Sequence, residues 1–120
     1  DFALGDYNHD GELDLWAFKK QAKTTEIHIL NGANNFQNFL LHSASALAPT
    51  GANWDFHVVD CWNKDGKLDV FGINREGAAG TEVHVLDGAS SFKKFNLHSA
   101  TKLGKTGANF NFAIGDYNGD

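Results

Sequence analysis

The stretch DYNHDGELD, residues 6–14, places oxygen-bearing side chains at its first, third, fifth and ninth positions: Asp6, Asn8, Asp10 and Asp14. Glu12, at the seventh, offers a backbone carbonyl, and Gly11 holds the sixth, where a sharp turn lets a loop fold its donors about one centre. Such a donor set suits a hard cation. An irregular, carboxylate-rich loop favours Ca²⁺ over Mg²⁺, which demands a stricter octahedron. An EF-hand is excluded, because its twelfth position is a bidentate Glu and here that position is Ala17, with strand-like flanks. Crowded carboxylates repel, so a bound cation would clamp two strands together and would not catalyse a reaction.

The pattern returns twice. Matching the Phe-x-x-x-Asp lead-ins (Phe2 to Asp6, Phe56 to Asp60, Phe112 to Asp116) makes Asp60 the first donor of a second loop that also holds Asn63, Asp65 and Asp69. That loop is one residue longer than the first. Counting back from Asn63, Asp65, Gly66 and Asp69 instead brings Cys61 into the first slot, and a thiol is a poor calcium ligand. Three agreeing lead-ins favour Asp60 with an insertion at Cys61-Trp62. The third loop offers Asp116, Asn118 and Asp120, lacks a ninth-position carboxylate, and would need another chain or further residues to complete it. Plain Asp/Asn/Gly turn chemistry is the competing reading. It accounts for one such loop better than for three at a fixed repeat position.

The elements that hold these loops repeat with them. TEIHILNGANNFQNFLLHSASALAPTGANWDF, residues 25–56, aligns without a gap onto TEVHVLDGASSFKKFNLHSATKLGKTGANFNF, residues 81–112, at a shift of 56. Within a unit, LDLWAFKK (13–20) reads as a strand covered on both faces, and TTEIHIL (24–30) alternates Ile27 and Ile29 with Glu26 and His28. Asn31-Gly32 and Asp87-Gly88 predict type I′ hairpin turns. FQNFLLHS (36–43) is the expected third strand, 44–52 a loop, and NWDFHVV (53–59) the fourth strand. Recurrent Gly, Asn and β-branched residues and the lack of a 3.6-residue period argue against helix.

The expected fold is therefore all-β: two tandem four-stranded antiparallel repeats of about 55 residues, of the β-propeller blade type, with another β-sandwich as the alternative. The expected units are 1–59 with calcium loop 6–14, 60–115 with calcium loop 60–69, and 116–120 as the start of a third loop.

The phrases FALGDYNHDGELDL and NFAIGDYNGD resemble the FG-GAP/VCBS repeat of integrin α-subunit propellers and of many secreted microbial and fungal proteins. The resemblance covers the whole chain and is most specific in the loops. It implies calcium-stabilised, extracellular propeller blades serving adhesion or carbohydrate recognition, and is shared by repeats appended to secreted cell-wall hydrolases. By match to the motif, Asp6, Asn8, Asp10, Glu12 through its carbonyl, and Asp14 take metal roles in the first unit. In the second unit they fall to Asp60, Asn63, Asp65, Lys67 through its carbonyl, and Asp69.

Composition narrows the other classes. A net charge of −5 and the absence of a Lys/Arg run argue against a nucleic-acid surface, and no run of about 18 apolar residues provides a membrane span. The first residues lack the charged and apolar regions of a signal peptide. With no Met among 120 residues and matching ends, the chain is expected to be a processed product or an excerpt. The pairs His28/His84 and His42/His98 recur with the repeat, which points to architecture, and no His-x-His or Cys-x-x-Cys spacing supports zinc. Cys61 is a lone thiol with no evident base partner, so no enzyme is expected.

Trp16 and Trp54 align with Phe71 and Phe110 and are expected in the core, whereas Trp62 lies in a polar loop and is the expected ligand contact. Two units cannot close a ring of about four to eight blades. The expected partners are further blades of a longer chain, or identical chains joined as a closed ring or a filament.

Overall fold

The structure, a computed structural model, describes residues 1–60 and 62–119. Eight strands form two four-stranded antiparallel sheets, each in plain sequential order. The first holds β1 (Phe2–Gly5), β2 (Asp14–Lys19), β3 (Glu26–Leu30) and β4 (Phe39–Ala44). The second holds β5 (Trp54–Asp60), β6 (Leu68–Gly77), β7 (Gly80–Leu86) and β8 (Phe95–Ala100). The all-β, two-sheet, repeating architecture is the one expected, and both sheets have the form of blades.

The frame of the sheets differs from that of the repeat. Residues 53–59 were expected to close the first sheet, but β5 opens the second, and the first sheet begins instead with FALG. Strand order depends on distant pairing, which local periodicity does not encode. Each sheet thus pairs its leading strand across a DxNxDG-type loop: Gly5 faces Asp14 in one, and Val59 faces Asp69 in the other.

The expected type I′ turns are also corrected. Asn31 has φ −72° and ψ 115° and caps a short 3₁₀ turn, Gly32–Asn34, by accepting a hydrogen bond from the Ala33 N–H; Asp87 does the same for Ala89. The left-handed residues come later, at Asn35 and Phe36 (φ 60° and 64°) and at Ser91 and Phe92 (56° and 65°). Phe36 is thus part of the turn, and β4 starts at Phe39. Glycine is required at 32 and 88 for another reason: a Cβ there would lie 1.9 Å from the Leu13 carbonyl oxygen and 2.0 Å from that of Leu68.

Between the sheets lies one apolar core. Trp16, Phe18, Ile27 and Ile29 of the first sheet meet Phe56, Val70, Leu86 and Phe92 of the second unit, all buried. Phe18 stacks on Phe56 at 4.9 Å between ring centroids, and Trp16 meets Phe92 edge-on at 5.7 Å. Complete burial of a large apolar side chain contributes roughly 1.5–3 kcal/mol, so these rings dominate the joint. Trp16 and its counterpart Phe71 occupy the expected buried slot, but Trp54 is half-buried and its counterpart Phe110 is exposed.

A cationic clasp fastens each sheet to the segment that follows it. Lys20 Nζ donates to the Trp54 carbonyl at 2.8 Å, pairs with Asp1 at 3.0 Å and lies over the Phe56 ring. Arg75 repeats the arrangement. It donates to the carbonyls of Gly107 and Phe110, pairs with Asp55 at 2.5 Å and lies over Phe112. Residues 110–112 thus stand against the second sheet as β5 stands against the first. Among the described residues no helix is long and apolar enough to cross a membrane.

Candidate metal loops and the histidine cluster

In the first loop the acidic side chains fold the backbone around themselves. Asp6 accepts from the N–H of Asp10 at 3.1 Å and of Gly11 at 2.9 Å; Asn8 Oδ1 accepts from the same Asp10 N–H at 3.3 Å. Asp10 accepts from Glu12 N–H at 2.9 Å and from the Asn8 amide at 3.0 Å. Positive φ at His9 (59°) and Gly11 (90°) supplies the curvature. Asp6 and Asn8 oxygens therefore converge on the Asp10 N–H.

Asp14 has a more committed role. It is fully buried, with one carboxylate oxygen accepting from Tyr7 N–H at 2.8 Å and the other from Gly32 N–H at 2.9 Å. The carboxylate joins the loop, β2 and the 3₁₀ turn. Each oxygen keeps a second acceptor position, so the donor chemistry still fits a hard cation. The carboxylates of Asp6, Asp10 and Asp14 are not drawn within 4.8 Å of one another.

The second loop repeats the design. Asp69 is fully buried and accepts from Trp62 N–H at 3.0 Å and Gly88 N–H at 2.8 Å; Asp65 caps Lys67 N–H at 2.8 Å, and Asn63 caps that of Asp65 at 3.3 Å. Burial raises the Asp69 carboxyl above its ordinary value, opposed by the two amides. Strand register equates Asp60 with Asp6, while the amide bond to the buried carboxylate equates Trp62 with Tyr7. Between these two matched positions the second loop is one residue longer than the first; Cys61 lies outside the described residues. Lys64 (φ 60°) and Gly66 (78°) match His9 and Gly11.

In the third loop Asp116 caps Gly119 N–H at 2.8 Å, and Gly119 is left-handed at φ 74°. Asn118 lies beside it, and Asp120 is outside the described residues. This loop and the second flank an open groove of about 920 Å³ lined by Asp60, Trp62, Phe71, Ile114, Asp116 and Tyr117, among others. Trp62, the expected ligand contact, is 47% exposed, meets Phe71 edge-on and lines this groove; Tyr117, fully exposed, was not singled out by the sequence.

The histidines provide what sequence spacing did not reveal. His28 on β3 is paired directly with His42 on β4, and Glu26, two residues from His28, shares its face. One ligand atom from each of the three lies within 4.8 Å of the others. His28 Nε2 is 3.0 Å from Glu26 Oε1, and that bond holds the Glu26 carboxyl below its usual range. In the second sheet the buried His84 contacts Glu82 and His98, and desolvation lowers its pKa. Recurrence of both His pairs was the available signal; their convergence rests on cross-strand register.

Compared with protein-family models, curated proteins and solved structures, the chain matches none.

Proposed function

We propose that this chain is a non-enzymatic, extracellular, calcium-binding repeat module of the FG-GAP/VCBS kind that recognises carbohydrate. The observation carrying the metal reading is the first loop, where Asp6, Asn8 and Asp10 curl about a left-handed Gly11 while Asp14 anchors the loop to two other segments. Calcium would neutralise that loop and lock β1 to β2. Glu12 and Lys67 would add carbonyls, and Asp60, Asn63, Asp65 and Asp69 would form the second site.

For the ligand, the support is the groove where the half-exposed Trp62 and the exposed Tyr117 stand beside Asp60 and Asp116. Aromatic faces suit the apolar faces of sugar rings, and carboxylates accept from their hydroxyls. Accessory service to a secreted cell-wall hydrolase is the same chemistry in another setting.

Calorimetric titration with Ca²⁺ tests the metal reading: saturable binding that Asp10→Asn weakens supports it, and no heat at millimolar Ca²⁺ overturns it. A glycan array with a Trp62→Ala control tests the ligand. Binding lost in the variant supports recognition.

A second reading, self-assembly into a ring or filament, is favoured by the outer face of the first sheet. Phe2 is 73% and Leu4 59% exposed there, on the side away from the core. Native mass in calcium and after chelation separates the readings: a discrete oligomer points to a ring, a large polydisperse mass to a filament.

A further inference from the structure

We propose that Glu26, His28 and His42 bind a divalent transition-metal ion, zinc foremost, at a site separate from the acidic loops. Two imidazoles and a carboxylate form a donor set for borderline metals, whereas calcium prefers oxygen alone. The three ligand atoms already lie within 4.8 Å of one another. A tetrahedral zinc ion with bonds of about 2.0–2.1 Å requires its donors about 3.3 Å apart, so side-chain rotation of about 1–2 Å completes the site. Three protein donors leave a fourth position for water or an external ligand.

Cross-strand pairing builds this cluster. His28 and His42 are register partners with ring centroids 4.2 Å apart, and period-two alternation brings Glu26 to the same face. Phe39 stacks on His42 at 4.6 Å and steadies its ring. Glu26 and His28 are partly exposed and His42 is exposed, so an ion has access. Lys19, the register partner of Glu26, is the nearby cation opposing occupancy.

The second sheet supplies an internal contrast. Glu82, His84 and His98 have the same spacing, yet His84 uses Nε2 toward Glu82 and Nδ1 toward His98, each at 3.1 Å. Opposite nitrogens of one ring cannot serve one ion. Trp54 packs on that ring at 5.0 Å and holds it. One strong zinc site per chain is therefore expected.

The test is calorimetric titration of the metal-stripped chain with Zn²⁺ in the presence of millimolar Ca²⁺, which occupies the oxygen loops. One equivalent is expected, with His28→Gln and His42→Gln each weakening binding by about tenfold or more and His98→Gln leaving it unchanged; ligand-shell perturbations typically cost ~10–100-fold. Circular dichroism of each variant confirms that the β-structure persists. X-ray absorption of the zinc-loaded chain should show two imidazole nitrogens. No binding, equal weakening by His98→Gln, or zinc lost only on Asp10→Asn would overturn the site.

Discussion

His9 Nε2 lies 2.9 Å from the carbonyl oxygen of Gly66, joining the first acidic loop to the second across 57 residues of sequence. Because a carbonyl only accepts, Nε2 must carry the proton. The bond links loops belonging to different sheets, at the rim of a small cavity lined by Tyr7, Asn8, Lys67 and Gly88. His9→Ala should lower stability by about 1 kcal/mol, the usual net worth of such a bond. Thermal unfolding measures this; an unchanged midpoint would show the loops to be independent.

Asp14 and Asp69 should be the most sensitive polar positions. Asp14→Ala strands the Tyr7 and Gly32 amides, a loss of about 3 kcal/mol for buried charge-assisted bonds. Asp14→Asn keeps an acceptor for one amide and should lose less. Urea denaturation in the absence of metal ranks the two variants, and a milder effect of Ala than of Asn would contradict the anchoring role.

Arg75→Ala should release residues 107–112 from the second sheet, seen as faster amide exchange in that stretch with β7 and β8 still protected. Lysine should restore little. It has the charge but not the planar fork that reaches Asp55 and two carbonyls together.

Acidification should weaken the second sheet through His84. Its folded pKa lies below the ordinary 6.5, because burial against Trp54 and Phe95 penalises the imidazolium more than Glu82 rewards it and His98 adds repulsion. The unfolded chain therefore takes up the proton first as pH falls. This contribution is complete above about pH 6.5 and is lost as pH falls from there toward the folded pKa. Denaturation midpoints from pH 7.5 to 5 should fall less steeply in His84→Gln than in the parent chain.

The two-sheet architecture was legible because strand alternation survives in both copies of TE(I/V)H(I/V)L and because the copies align without a gap. The turn type was not legible. Asn31-Gly32 carries the signature of a type I′ turn, but here Asn31 caps and Gly32 is selected by the closeness of Leu13, a tertiary contact that dipeptide preference ignores. Likewise, the acidic spacing disclosed the loops but not that Asp14 and Asp69 spend both oxygens on backbone amides. His28 and His42 stand on consecutive strands, but the register shift between Ile29 and Leu30 that sets their pairing has no residue signature.

The one-strand offset between repeat and sheet bears on how such a chain could change over generations. A duplication or deletion that follows the repeat frame leaves β5, encoded with the unit before it, to open the sheet of the unit after it. Any inserted copy then inherits its first strand from an older neighbour and lends its last to the next. Recombination within 45–53 preserves whole sheets, whereas a breakpoint at 59/60 exchanges a strand between them. Interlocking of this kind requires an added unit to reproduce at its junctions the Phe-lined, cation-clasped fit seen at Lys20 and Arg75.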